Sequence, residues 1–215
     1  MNAKLITEFT GTFFLCLTIC VSAAYGLAEN NAPFAIAGIL MVMIYAGGHI
    51  SGAHYNPAVT ISIFIRGACD RAEVAPYVAS QLAAGALAAL VAAELIFTGQ
   101  LADSYPMEAF DFSTVPTASV VASELLFTFA LVYVILNVAT SESTDGNEYY
   151  GLAIALVVLS GAMTVGSISL ASFNPAVTLS LSFVGKMAFA EIWLHLVPQL
   201  VGGVAATYAF LASES

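Results

Sequence analysis

Two Asn-Pro-Ala triplets, at positions 56–58 and 174–176, are the polar residues whose types and spacing are most informative about chemistry. Asn is a favoured helix N-cap and Pro is favoured in the first helical turn, so either triplet alone would predict only a helix start. No nucleophile with its base, metal-ligand spacing or phosphate-binding loop accompanies them, so we predict no enzyme activity, metal or cofactor. The residues of interest are Asn56, Pro57, Ala58, Asn174, Pro175 and Ala176.

The surroundings of the triplets repeat as well. Positions 50–62 and 168–180 lie 118 residues apart, and nine of their thirteen residues are identical. Other positions recur at the same or nearly the same offset: Glu8 with Glu124, Gln81 with Gln199, and Gly85 with Gly203. The chain is therefore a duplicated unit, and each copy contains one Asn-capped helix start in apolar surroundings.

The composition indicates the kind of unit. Of the 215 residues, 60% are hydrophobic and 8% are charged, whereas about a quarter are charged in ordinary soluble domains. This predicts an integral membrane protein with room for about six spans of roughly 20 residues. The net charge of −10 comes mostly from loops and ends, so we interpret it as a solvated acidic surface and expect no nucleic-acid partner. The three cysteines have no metal-ligand spacing, and Cys16 and Cys20, one helical turn apart in an apolar stretch, are interpreted as reduced packing residues.

The apolar stretches that must position the triplets alternate with polar turns. The first stretch carries Glu8 and is too long for the apolar region of a signal peptide, so we interpret it as a retained span. The stretches that follow the two triplets are about ten residues long, about 15 Å of helix, which is too short to cross a bilayer. We predict six spans, at about 5–28, 34–48 or slightly beyond, 74–97, 117–138, 150–166 and 189–211, and two half-helices, at about 56–65 and 174–184.

The predicted fold is an all-α membrane protein with two inverted repeats, 1–98 and 117–215, joined by a loop at 99–116. Each repeat has three spans, an odd number, so the two copies must run in opposite directions across the membrane. Three of the four basic residues (Lys4, Arg66 and Arg71) fall on the side of the termini, and Lys186 falls on the other. The bias predicts cytoplasmic termini in a multi-pass protein of the cell membrane.

Two half-helices that enter from opposite faces would meet with both N-termini near the bilayer centre. Each helix end carries about half a positive charge. Asn56 and Asn174 would accept from their own helices and turn their NH₂ groups to the lumen. Such a centre would repel cations and orient passing water molecules so that no continuous proton wire forms.

These features together resemble the major intrinsic protein (aquaporin) family over nearly the whole chain. The resemblance rests on the doubled triplet, the segment from His49 to Gly52, and the paired glutamates and glutamines. It implies a passive channel for water and small uncharged solutes, assembled in the lipid bilayer as a homotetramer with one pore per protomer. It also implies that Glu8 and Glu124 brace the re-entrant loops by accepting backbone N–H bonds.

The remaining histidines and glycines have more ordinary interpretations. For His49 we favour a fixed hydrogen bond between loop and span over a pH-dependent gate. His54 is expected to face the lumen with its backbone carbonyl, and His195 to be a packing or interfacial residue. Gly85, Gly202 and Gly203 indicate close helix packing, within a protomer or between protomers.

One departure from the family pattern concerns its selectivity filter. Members usually carry Arg directly after the second triplet, whereas this chain has Val177. Counting without gaps, the filter would consist of Ile36 (or its neighbour Ala37), Ala162, Ala171 and Val177. All are apolar and most are small or medium-sized, so the constriction should be wider than usual and unable to hydrogen-bond through side chains. Two outcomes are open: a wide wet ring that admits larger neutral solutes, which we favour, or a hydrophobic ring that dewets and slows water.

Two other function classes stay open at this point. A coupled secondary transporter also uses inverted repeats and broken helices, although no carboxylate or base lies near the predicted central triplets. A largely closed structural or adhesive membrane protein could have the same fold. The solute is also open: water, glycerol, urea, ammonia and dissolved gases are all sterically plausible.

Overall fold

The computed structural model describes residues 1–214; Ser215, the last residue of the predicted second repeat, lies outside them. Six of its helices are long and apolar enough to cross a membrane, which confirms the predicted all-α membrane fold. The long helices are α1 (Asn2–Ile19), α2 (Ala32–Ser51), α4 (Arg71–Val91), α6 (Thr117–Ala139), α7 (Tyr150–Ser169) and α9 (Trp193–Glu214). The shorter ones are α3 (Pro57–Arg66), α5 (Gln100–Ser104) and α8 (Pro175–Phe183).

Two spans are lengthened by a change of helix type. α1 continues into a π-helical turn at Cys20–Ala24, and α4 does the same at Ala92–Ile96. The aromatic residues that follow these turns, Tyr25 and Phe97, stack with their ring centroids 3.7 Å apart. The second turn carries Glu94, which is exposed, but both spans are long and apolar enough to cross the membrane.

The two helices that lead into the triplets both end at a serine. α2 runs to Ser51, slightly beyond position 48 as predicted, whereas α7 runs to Ser169, three residues past its predicted end. Each ends where the next residue turns left-handed. In the first copy this residue is Gly52, with φ of 85°, which glycine adopts readily. In the second copy it is Leu170, with φ of 66°, which is an unfavourable conformation for a residue with a Cβ.

The repeated glycines bring helices into contact within the single chain. A methyl group at Gly85 would lie 2.7 Å from the carbonyl oxygen of Ala176, so α4 packs directly on the start of α8. One at Gly203 would lie 2.6 Å from Ser62 Oγ, which places α9 against α3. Gly202 abuts the backbone of Leu125 on α6. All three glycines therefore allow close contacts within the protomer, which was one of the two interpretations that the sequence left open.

The half-helices form the centre of the molecule. Residues 57–60 and 175–178, the first turns of α3 and α8, are all buried. α3 packs on α4 and α9, and α8 packs on α4, α1 and α9, so long helices surround both. Backbone that leaves the helical conformation at this depth is therefore enclosed by protein or by the central cavity, which a membrane protein requires.

Candidate functional site

The triplets start the two half-helices through their asparagines. Asn56 is extended, and its Oδ1 accepts from the backbone N–H of Ala58 at 2.9 Å and of Val59 at 3.4 Å. Asn174 accepts from the N–H of Ala176 at 2.9 Å. These bonds satisfy donors that a helix start leaves unpaired and fix the orientation of each amide.

The same amides join the tips of the two half-helices. Asn56 Nδ2 donates to the carbonyl oxygen of Phe173 at 2.9 Å, and Asn174 Nδ2 donates to that of Tyr55 at 2.9 Å. The prediction that the whole NH₂ group faces the lumen is thus wrong for one N–H of each amide. That hydrogen is used to hold the opposite tip, and the second N–H remains for the lumen.

A buried carboxylate holds the segment before the first triplet. Glu8 Oε1 accepts from the hydroxyl of Ser51 at 2.7 Å and from the N–H of His54 at 2.9 Å. Its Oε2 accepts from the N–H of Tyr55 at 2.8 Å and from Gln81 Nε2 at 2.8 Å. Four donors around one buried carboxyl group compensate for its removal from water.

Glu124 repeats this arrangement before the second triplet. Its oxygens accept from the hydroxyl of Ser169 at 2.7 Å, the N–H of Ser172 at 3.1 Å and the N–H of Phe173 at 2.9 Å. Gln199 Nε2 donates at 2.8 Å, as Gln81 does for Glu8, and the hydroxyl of Ser172 adds a fifth donor at 3.2 Å. The two clusters therefore share four donor types at corresponding positions, and the second has one hydroxyl donor more.

The segments that the carboxylates hold are conformationally strained. Ala53 and Tyr55 have φ of 50° and 49°, and Ala171 and Phe173 have φ of 50° and 48°. Residues other than glycine adopt such values at a cost of order 1–3 kcal/mol each, and they persist only where the surroundings impose them. The backbone bonds to Glu8 and Glu124 are those surroundings.

His49 does not brace its loop in the way the sequence suggests. It is exposed on α2 and lines the central cavity, and no side-chain hydrogen bond from it to the loop is found within residues 1–214. The bond at this place comes from Tyr77, whose hydroxyl donates to the Ser51 carbonyl oxygen at 2.9 Å. The imidazole of His54 is buried edge-on against the Tyr77 ring.

His195 has a more specific place than that of a packing residue. Its Nε2 lies 2.6 Å from the carbonyl oxygen of Ser169 and 3.9 Å from Glu124 Oε1, and its side chain is fully buried. His195 contacts the carbonyl oxygen of Ser169 as Tyr77 contacts that of Ser51. Positions 77 and 195 are separated by the repeat offset of 118. The offset was the signal that could have identified both residues, although their types differ.

One cavity of about 1140 Å³ passes through the protein between the two half-helices. Its lining includes Glu29 and Lys186 at one end, Asn56 and Asn174 on the way, and Asp145 at the other end. All four predicted filter residues line it: Ile36, Ala162, Ala171 and Val177. Within residues 1–214, no group of three His, Cys, Asp or Glu side chains is placed to hold a metal ion.

Two apolar stripes form much of the cavity wall, and the sequence predicted only Ile36 and Ala162 among their members. Every fourth residue of α2 and of α7 takes part, and each member of one stripe lies 118 positions from a member of the other. The spacing of four puts these residues on one helix face. The stripes are Ile36, Leu40, Ile44 and Gly48 on α2, and Ile154, Val158, Ala162 and Gly166 on α7.

The fold and the site define a polytopic membrane protein with a large cavity between two opposed half-helices. The profile of the Major intrinsic protein family matches residues 1–210, and the chain belongs to this family.

Among its relatives, Aquaporin NIP1-1 of Zea mays is 35% identical over 217 residues, which cover 96% of this chain and 73% of that protein. Putative aquaporin NIP4-1 of Arabidopsis thaliana is 33% identical, with 98% and 74% covered. The X-ray structure of the aquaglyceroporin from Plasmodium falciparum has the same fold, with a TM-score of 0.79, 21% identity, and 97% and 95% of the two chains covered.

Proposed function

We propose that this chain is a passive transmembrane channel for water and small uncharged solutes, a class that includes glycerol, urea, ammonia and dissolved gases. The cavity lined by both asparagines, which extends from Lys186 at one end to Asp145 at the other, is the observation that carries the proposal. The relatives, named as aquaporins and an aquaglyceroporin, point to the same class. Transport along such a path needs no covalent step and no coupled ion.

Ion exclusion follows from the electrostatics of the meeting tips. The N-termini of α3 and α8 each carry about half a positive charge, and the cross-links from Asn56 and Asn174 bring them together. A cation that reaches this point meets like charge and loses its hydration shell. A water molecule instead accepts from the free amide N–H groups, which orient it and interrupt a chain of proton transfers.

The filter should admit solutes larger than water. Ile36, Ala162, Ala171 and Val177 carry no side-chain donor and no charge, and two of them are alanines. Without an arginine, no fixed cation narrows the path at Val177. A small neutral solute can then pass if it keeps some of its water or bonds to backbone carbonyls.

Glu8 and Glu124 are proposed to act as braces for the box segments rather than as proton carriers. Each carboxyl group is fully buried and surrounded by backbone N–H, hydroxyl and amide donors. Neither lines the cavity through which solutes would pass. Their role would be to keep the strained segments at 53–55 and 171–173 in place.

The proposal includes the topology and the assembly. Two inverted repeats, 1–98 and 117–215, would cross the cell membrane with both termini in the cytoplasm. The charges of Lys4, Arg66 and Arg71 against Lys186 support that orientation. Family membership supports a homotetramer in which each protomer has its own pore.

Stopped-flow light scattering on proteoliposomes tests the function. Water, glycerol, urea and ammonia should be compared on one preparation, with protein-free liposomes as the control. We expect permeability well above that of lipid, proportional to the solute gradient and unchanged by imposed sodium or proton gradients. Permeability no higher than that of lipid would overturn the proposal, and a response to ion gradients would indicate a coupled transporter.

A further inference from the structure

The four predicted filter residues have counterparts in the other repeat. The offset of 118 relates Ile36 to Ile154, Ala162 to Ile44, Ala171 to Ala53, and Val177 to Val59. All four counterparts line the same cavity. We call the first set the Val177 ring (Ile36, Ala162, Ala171 and Val177) and the second set the Val59 ring (Ile44, Ala53, Val59 and Ile154).

The two rings lie on opposite sides of the meeting tips. Val59 and Val177 each follow their asparagine by three residues, on half-helices that run apart from the cross-linked tips. On α2, Ile36 and Ile44 are eight residues apart, which corresponds to about 12 Å along the helix. A solute must therefore cross the two rings one after the other.

The rings differ in one residue only. Isoleucine, alanine and valine recur at three of the four related positions, but Ala162 in the Val177 ring corresponds to Ile44 in the Val59 ring. Isoleucine carries three more carbon atoms than alanine at a position that lines the cavity. The Val59 ring is accordingly the tighter of the two.

The tighter ring also has little freedom to widen. Ile44, Val59 and Ile154 are 3%, 2% and 6% exposed and belong to the central hydrophobic core. β-Branched side chains in helices have one strongly preferred rotamer, and close-packed interiors resist displacement. The side chains that narrow the path cannot readily swing aside for a larger solute.

We propose that the Val59 ring, with Ile44 as its deciding residue, sets the size selectivity of this channel. The inference rests on the proposed channel function and goes beyond the predicted filter, which is the Val177 ring. A ring of isoleucine, valine and alanine offers no side-chain hydrogen bond. A solute with several hydroxyl or amide groups loses more hydration there than water does, and it also needs more width.

Exchanging the one differing pair between the rings tests this directly. Ile44→Ala should raise the glycerol-to-water and urea-to-water permeability ratios several-fold, because both rings would then have the wider composition. Ala162→Ile should leave the ratios within about twofold of the wild type, since it only adds a second barrier of equal width. The double variant moves the tight ring to the other side of the tips and should restore the wild-type ratios.

The control for Ile44→Ala is Val42→Ala, two residues away on the outward face of α2, where the side chain is 47% exposed. It should leave the ratios unchanged. Ile154→Ala widens the same ring from α7 and replaces Ile44→Ala if that variant does not fold. Ratios that stay at the wild-type value in a folded Ile44→Ala or Ile154→Ala channel would overturn the proposal, as would a strong fall caused by Ala162→Ile. A wild-type protein that conducts nothing would instead reject the channel function itself.

Discussion

Val177 stands in the first turn of α8, and its side chain lines the cavity where the family usually has arginine. A guanidinium group there would add a fixed charge and a fork of donors and would fill much of the path. We expect Val177→Arg to lower glycerol and urea permeability more than water permeability, measured by stopped-flow light scattering.

Val177→Leu separates size from charge in this experiment, because leucine is larger than valine but apolar. The arginine variant should reduce the solute-to-water ratio well below the leucine variant. If the arginine variant folds and the ratio stays the same or rises, Val177 does not narrow the path, and the count that placed it in the filter is wrong.

Asn174 combines two roles that a single substitution can separate. Aspartate caps helices as well as asparagine does, so Asn174→Asp should preserve the start of α8. It removes the N–H donors, including the one to the Tyr55 carbonyl oxygen, and adds a negative charge beside the positive helix ends. We expect a higher leak of sodium ions and protons, measured with ion-sensitive dyes in proteoliposomes.

Asn137→Asp is the matched control, because Asn137 also donates to a backbone carbonyl, that of Tyr133, but on α6 and outside the cavity lining. Its leak should equal that of the wild type. An unchanged leak in a folded Asn174→Asp channel would count against the central placement of the tips.

The residues that the sequence could identify were those whose types recur. Both triplets, both glutamates and both glutamines are identical between the copies, so comparison of the copies was enough to pick them out. Tyr77 was missed, and His195 was interpreted only as a packing or interfacial residue, because a phenol and an imidazole look unrelated in sequence. Each nevertheless contacts the carbonyl oxygen of a helix-ending serine. Only the three-dimensional contact shows that two side-chain chemistries do the same task.

At the scale of elements, the helix types were predictable and their ends were not. Apolar stretches and Asn-Pro starts predicted eight of the helices. They did not predict that α7 ends only at Ser169, because the left-handed turn that stops it falls on Leu170, and leucine does not favour that conformation. The π turns after α1 and α4 likewise have no local signal in their sequences. These features depend on tertiary contacts, such as the bonds to Glu124, which local propensity does not contain.

The contact between α6 and α9 depends on Gly202, whose missing side chain allows the Leu125 backbone to approach. We expect Gly202→Ala to destabilise the protein by about 1–3 kcal/mol, the usual cost of overpacking, because backbone cannot move aside as a side chain can. Thermal unfolding in mild detergent should show a lower midpoint.

Gly38→Ala is the control for Gly202→Ala, since nothing lies within 4 Å of a methyl group at Gly38. This variant should be neutral or gain up to about 1 kcal/mol from the better helix propensity of alanine. Equal midpoints for the two variants would show that α6 and α9 do not pack as closely as the structure indicates.

For the whole molecule, the repeat offset predicts more of the structure than the composition does. Composition predicted a membrane protein, but the offset also relates the two carboxylate clusters, the two cavity stripes and the two rings. What it could not predict is where the copies differ, as at Ile44 and Ala162. Such differences make the two halves of the cavity unequal, because Ile44 and Ala162 both line it.

The oligomeric state is predicted from family membership and from the exposed apolar surface of the long helices. We expect a homotetramer in mild detergent, measured by light scattering coupled to size-exclusion chromatography. The basis is family membership, together with the many large apolar side chains that remain exposed on the long helices, of which a part would contact neighbouring protomers. A monodisperse monomer with full channel activity would contradict it.

Within such a tetramer, each protomer should conduct independently, because the cavity is lined from Lys186 at one end to Asp145 at the other by residues of one chain. Wild-type and Val177→Arg subunits with different tags can be co-expressed at several ratios and purified as mixed assemblies. Glycerol permeability per subunit should then fall in proportion to the fraction of variant subunits, since one narrowed pore leaves its neighbours open. A steeper fall, in which one variant subunit silences an assembly, would show that the path or its opening is shared between protomers.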